Sequence, residues 1–195
     1  MKKTAFILLI CFALPGLCHA SELQLKEAGI FAESIVFDNS RIYHGGFKFN
    51  VGWDSFSVYY LFSIGMSSDD QIYGHIPGGV AVAEYIVSSP GYNGLSEDSK
   101  EDFNTVLMII LLFLPDGLEI PLKISDSFQI VPNISWSGGE INLNNNKDVL
   151  FSWGAGTRFR YVSDSFFMGP YVGIKGIYAT GEKGFVYGFD IGAKW

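Results

Sequence analysis

Cysteine is almost absent from this 195-residue chain, and its two cysteines, Cys11 and Cys18, both fall within the first twenty residues. The rest of the chain folds without a disulfide framework and offers no thiolate to a metal or a substrate. Histidine is nearly as scarce, with only His44 and His75 beyond residue 20. They form no pair at helix or strand spacing, so no metal centre and no cofactor is expected. Basic residues are in deficit, 13 Lys and Arg against 20 Asp and Glu. Sequence-blind nucleic-acid binding relies on clustered cations that neutralise phosphates, and so acidic a chain repels them. The longest apolar runs, over 5–14 and 106–114, are too short to cross a hydrocarbon core of about 30 Å as helices.

What is present begins with an export signal. Lys2 and Lys3 precede the apolar run over 5–14, Pro15-Gly16 ends it, and Cys18-His19-Ala20 sets small residues where a signal peptidase inspects them. A signal peptide over 1–20, cut after Ala20, is expected. The alternative, a lipid anchor on Cys18, needs a small residue before the cysteine, where Leu17 stands. Cleavage removes two basic residues and leaves 11 against 20, a net charge of −9 on a single domain over 21–195. The chain is 16% aromatic and carries 23 glycines. Lipid-facing strands need large apolar groups and a narrow lumen needs small ones, so this pairing suits a membrane barrel.

The clearest pattern is at the end. Phe185, Tyr187, Phe189, Ile191, Ala193 and Trp195 alternate with Val186, Gly188, Asp190, Gly192 and Lys194. Side chains on a strand point alternately to opposite faces, so one face is apolar and aromatic and the other small or charged. This strand, closing on an aromatic at the last residue, resembles the C-terminal strand of bacterial outer-membrane β-barrel proteins. The resemblance implies a Gram-negative-type outer membrane, contact with its lipid, and recognition by its barrel-assembly machinery. Phe185, Tyr187, Phe189, Ile191 and Trp195 are then the membrane-insertion strand.

Three upstream hairpins share an Asp-Ser-Phe turn, at 54–56, 126–128 and 164–166. Asp and Ser bond back to their own backbone and tighten such reversals. Connections on the other side, such as 137–147, are longer and more polar, the asymmetry of outer-membrane barrels. The final strand therefore runs down to the short-turn rim. Six hairpin strands, the last one, and a poorly alternating stretch over 28–37 give eight strands. The expected fold is all-β: a small antiparallel up-and-down transmembrane barrel with a partly helical insertion over 66–116. Within that insertion 99–102 resembles a helix-capping sequence before the apolar run over 106–114. A second apolar stretch holds Val80, Val82, Tyr85 and Ile86; were both stretches strands, the barrel would have ten.

The polar strand faces carry charges of both signs, among them Lys48, Glu119, Lys123, Arg158, Arg160, Lys175 and Asp190, spaced by glycines. Glu119, Lys123, Arg158, Arg160 and Asp190 are expected to line the lumen and pair across it, because buried charge requires a partner. An eight-strand lumen is normally filled by its own side chains, which argues against a pore. No catalytic residue is assigned, since neither histidine stands in a legible nucleophile motif. The sequence thus favours an outer-membrane barrel with a structural, surface-interaction or envelope-stabilising role. The alternatives are a lipid-modifying barrel enzyme and a soluble periplasmic barrel that binds an apolar ligand.

Overall fold

The computed structural model describes residues 24–38, 40–53, 55–97, 99–100, 103–104, 107, 114–144 and 149–195. The expected signal peptide over 1–20 lies outside the described residues, as does most of the apolar run over 106–114 and half of the capping sequence over 99–102. The elements in chain order are β1 (Gln24–Val36), β2 (Arg41–Gly52), β3 (Ser57–Ser67), β4 (Ile72–Ile76), α1 (Gly78–Val87), α2 (Pro90–Asn93), β5 (Gly117–Glu119), β6 (Leu122–Ser125), β7 (Phe128–Asn142), β8 (Val149–Val162), β9 (Phe166–Ile177) and β10 (Lys183–Lys194).

All pairings are antiparallel, and the ring closes where β1 meets β10, from Glu27 opposite Lys194 to Val36 opposite Phe185. Beyond the register, the Trp195 amide donates to the Lys26 carbonyl at 3.0 Å. The terminal strand therefore completes the wall. Ten segments fill eight positions, because the fourth position is built in series. β4 lies between the upper parts of β3 and β7, β5 lies between their lower parts, and β6 continues along β7. The fold is a small up-and-down barrel with eight strand positions.

Its surface is inverted relative to a water-soluble protein. Phe47, Ile64, Ile124, Phe185, Tyr187, Phe189, Ile191 and Trp195 point outward and are exposed, whereas Arg160, Glu119, Asp190 and Asn50 point inward and are at most 2% exposed. A soluble barrel with an apolar ligand would need the reverse. This is the pattern of a transmembrane β-barrel, whose outer band is apolar and whose interior is polar. No described helix is long and apolar enough to cross a membrane; the strands are the spanning elements.

The stretch holding Val80 to Ile86 is helix α1, part of the partly helical insertion expected, and adds no strand to the wall. Three expectations need correction. The excursion expected over 66–116 is shorter, since β3 runs to Ser67 and β4 belongs to the wall; the chain leaves the barrel only over 77–115. The loop expected over 137–147 is largely strand, because β7 continues to Asn142 through a bulge between Ser135 and Gly138. The first strand of the hairpin that turns at 126–128 is not continuous: it stops at Glu119 and resumes at Leu122, with Pro121, which has no ladder donor, in the interval.

Candidate functional site in the lumen

The inward side chains fall into two groups at different heights. Near the short-turn rim, Lys48, Arg158 and Arg160 face Glu27, Glu119 and Asp190. Arg160 reaches Glu27 at 2.7 Å and Asp190 at 2.8 Å, and Arg158 reaches Asp190 at 3.0 Å. Glu119 accepts from both Lys48 and Arg158, and from the Asn50 amide at 2.6 Å. Aromatic rings pack on the cations: Phe167 lies 4.3 Å from the Arg160 guanidinium and Tyr171 4.8 Å from that of Arg158, while Lys48 sits 5.0 Å from Tyr59. Three cations meet three carboxylates, which is the condition under which buried charge is tolerable. The match is not complete, since Arg160 Nε and Asp190 Oδ1 have no hydrogen-bond partner.

The strands place four of the five expected lumen charges, Glu119, Arg158, Arg160 and Asp190, in this one network. Lys123 is a correction. Its side chain is 65% exposed at the rim and pairs with Asp126 in the adjacent turn at 2.9 Å. Its hydrogen bond and charge hold the Asp126 carboxyl below its ordinary value. The reason lies in β6: it pairs with β7 alone and all four of its residues are exposed, so alternation there does not sort lumen from lipid.

The upper group was not legible as a group. His75 Nδ1 lies 2.7 Å from Glu140 and its Nε2 lies 3.3 Å from Asp116, while Lys175 also pairs with Glu140. Glu33 stands 3.8 Å from His44 Nδ1, and the same nitrogen is 3.1 Å from the Ser63 hydroxyl. Beside them is a cavity of about 60 Å³ lined by Glu33, His75, Asp116, Ser152 and Lys175, with Gly154, Gly156 and Gly173 making room. A Cβ at Gly138 would collide with the His75 ring and the Ser152 hydroxyl, so any other residue there would displace them.

Neither histidine is arranged as a general base. Each His75 nitrogen faces a carboxylate, so neither is free to take a proton from a nucleophile. At His44 the hydroxyl and the carboxylate approach the same nitrogen and Nε2 has no partner, whereas a nucleophile–base–acid relay needs them on opposite nitrogens. Among the described residues no group of three His, Cys, Asp or Glu is placed to hold a metal ion.

Asp116 is the structural key to the upper half. It stands where the fourth position is interrupted, with its amide donating to the Tyr59 carbonyl and its carbonyl accepting from Trp136, both at 2.9 Å. Its carboxylate then accepts from the Leu61 amide at 2.6 Å and from the Gly78 amide at 3.0 Å. One side chain thus replaces the missing strand segment for β3 and caps the first turn of α1. The Gly79 amide is taken by the Leu114 carbonyl at 3.1 Å. Sequence reading missed Asp116 because it stands beside Pro115 and Gly117 and reads as the turn that ends a helix.

No family model and no curated protein matches the sequence. Among solved structures the chain is similar in fold to a barrel from the de novo design of transmembrane β-barrels, at 12% identity and a TM-score of 0.48, over 88% of this chain and 99% of that one. It is also similar to Ail, the attachment invasion locus protein of Yersinia pestis, at 8% identity and a TM-score of 0.41, over 90% of this chain and 100% of that one.

Proposed function

We propose that the protein is an exported, integral outer-membrane barrel with a closed lumen, serving a structural or surface-interaction role in the envelope rather than conduction. The observation that carries this reading is the pairing of an apolar exterior with a lumen filled by mutually compensated charges. Six charged side chains paired with one another fill the lower lumen, as an eight-strand barrel's own side chains normally do, and they are partnered internally rather than aimed at a ligand. The alternation of β10, with Phe185, Tyr187, Phe189 and Ile191 outward and Asp190 inward, supports the outer membrane as the destination, with its lipid and its assembly machinery as the partners.

The test is fractionation followed by gel mobility. Detergent extracts of outer membranes should contain a band that runs faster unboiled than boiled, and deletion of Trp195 should abolish it. Recovery of the intact protein in the osmotic-shock fraction would overturn the reading. In planar bilayers the purified barrel should show no steady conductance. Thin-layer analysis of membrane lipid should be unchanged in cells carrying His44→Ala or His75→Ala; a lost lipid species in either would favour a lipid-modifying enzyme.

A further inference from the structure

The excursion leaves the barrel from within its wall rather than from a loop at its rim. β4 ends at Ile76 opposite Gly139, and the wall resumes at Gly117 opposite Ser135. Between them the chain turns outward into α1, which packs on the neighbouring strands β7 and β8 of the wall. The contact is on their outer face: Ser152 points into the lumen, so Phe151 beside it points out, and the Tyr85 ring meets Phe151 edge-on at 6.5 Å and 71°. From Gly78 to Tyr85 a helix advances about 10 Å at about 1.5 Å per residue, which matches two strand spacings of about 4.8 Å. The helix therefore runs around the barrel, close to the plane of the membrane.

Its height follows from β8. Phe151 stands ten residues above Tyr161, the last outward aromatic of that strand. At about 3.3 Å per residue and a tilt near 40° this is about 25 Å, the full height of the apolar band of such barrels. The helix thus lies at the boundary between acyl chains and headgroups on the side opposite the short turns. Its sequence, Gly78-Gly79-Val80-Ala81-Val82-Ala83-Glu84-Tyr85-Ile86-Val87, is apolar nearly all round. Ala81 and Ala83 are buried, while Val80 and Tyr85 are 38% and 66% exposed. Tyr85 adjoins the outward Phe151, so the exposed side of the helix is continuous with the apolar band there.

The geometry points to α1 as an interfacial helix whose outer face binds outer-leaflet lipid, sealing the break in the barrel wall against the hydrocarbon. Lipid cannot hydrogen-bond the backbone groups exposed by an interrupted strand, so a break at this depth needs cover. Asp116 satisfies the donors from within and α1 shields them from without. Helices with such a face at this depth associate with membranes through the buried apolar area. This inference rests on the membrane reading above.

Spin labels test it. In the chain with Cys11→Ser and Cys18→Ser, reconstituted into phosphatidylcholine vesicles, labels on Val80→Cys and Tyr85→Cys should collide with oxygen severalfold more than with a nickel chelate. A label on Phe47→Cys, in the apolar band, should behave likewise, and one on Ser96→Cys should show the reverse. Only protein with the fast unboiled gel band is measured, which removes misfolded variants. If Val80 and Tyr85 behave as Ser96 does while Phe47 remains lipid-exposed, the helix faces water and the inference fails. Spin–spin broadening at Tyr85 that disappears on dilution with unlabelled protein would make a second copy the occupant and overturn it too. Nickel access at Phe47 would sink the membrane reading itself.

Discussion

The lower and upper halves of the lumen are built by the same strands but are held in different ways. Below, Lys48, Arg158 and Arg160 match Glu27, Glu119 and Asp190 one for one, and aromatic rings fill the space between them. Above, Glu33, Asp116, His75 and Lys175 line a cavity of about 60 Å³, Glu140 pairs with His75 and Lys175, and one wall position is interrupted. The difference teaches where the barrel keeps its stability and where it has slack. A matched network fails when one member is removed; a group with carboxylates to spare tolerates the loss of one that anchors nothing.

The largest effect should come from Glu119→Ala. Glu119 is 1% exposed and accepts from Lys48, Arg158 and Asn50, so its removal strands the buried Lys48 ammonium and leaves Arg158 with Asp190 alone. Breaking a buried network in this way costs about 3–5 kcal/mol. Urea unfolding of the refolded barrel in detergent, followed by tryptophan fluorescence, should show the unfolding free energy fall by that amount and the midpoint fall with it. A loss below about 1 kcal/mol would remove the distinction between the halves.

Asp116→Ala should come next, at about 2–3 kcal/mol, because hydrogen bonds to a buried charged acceptor contribute about 1.5–3 kcal/mol. Its effect should also be local. Hydrogen exchange at the Leu61 and Gly78 amides should accelerate while amides around Arg158 and Arg160 keep their protection. Uniform acceleration would mean that the wall patch and the lower network form one cooperative unit.

The two halves also differ in how far the sequence announces them. Arg158, Arg160 and Asp190 stand on long strands whose apolar and polar residues alternate, so their inward direction follows from period two alone. Glu119 could be oriented from its neighbours Leu118 and Ile120. His75 sits on the five-residue β4, too short for a period to register, and Glu140 follows a bulge that resets the alternation of β7. Lys123 failed for the opposite reason: β6 alternates well in sequence, yet it pairs on one side only and leaves both faces exposed. β1 was hard to read because its inward positions mix Glu27 and Glu33 with Phe31 and Ile35, the last of which joins Tyr171 and Val186 in an apolar plug. Alternation locates charge where a strand is long and paired on both sides, and fails where pairing is interrupted.

Glu33→Gln sharpens the comparison from the upper side. Its closest approach to an imidazole nitrogen is 3.8 Å, longer than a hydrogen bond, and its side chain is 10% exposed beside the cavity. Neutralising it leaves Asp116 and Glu140 to face Lys175 and His75. Stability should stay within about 1 kcal/mol of the parent or rise, because no charge is left without a partner. A loss as large as that of Glu119→Ala would show that the upper group is a matched network too.

The smallest effect belongs to Lys123→Ala, and it separates a charge near the lumen from a charge in it. The Lys123 ammonium and the Asp126 carboxylate are 65% and 98% exposed, and such pairs contribute little to stability because water competes for both groups. The urea midpoint should therefore not move measurably. The pair should still leave a trace where its charge acts directly: with Lys123 gone, the Asp126 carboxyl loses the hydrogen bond that lowers it and should titrate higher by NMR. A shifted titration with an unmoved midpoint places Lys123 outside the network that holds the barrel. A midpoint loss near that of Glu119→Ala would instead put β6 into the same matched network, and the boundary between the two halves would have to be redrawn along the fourth position of the wall.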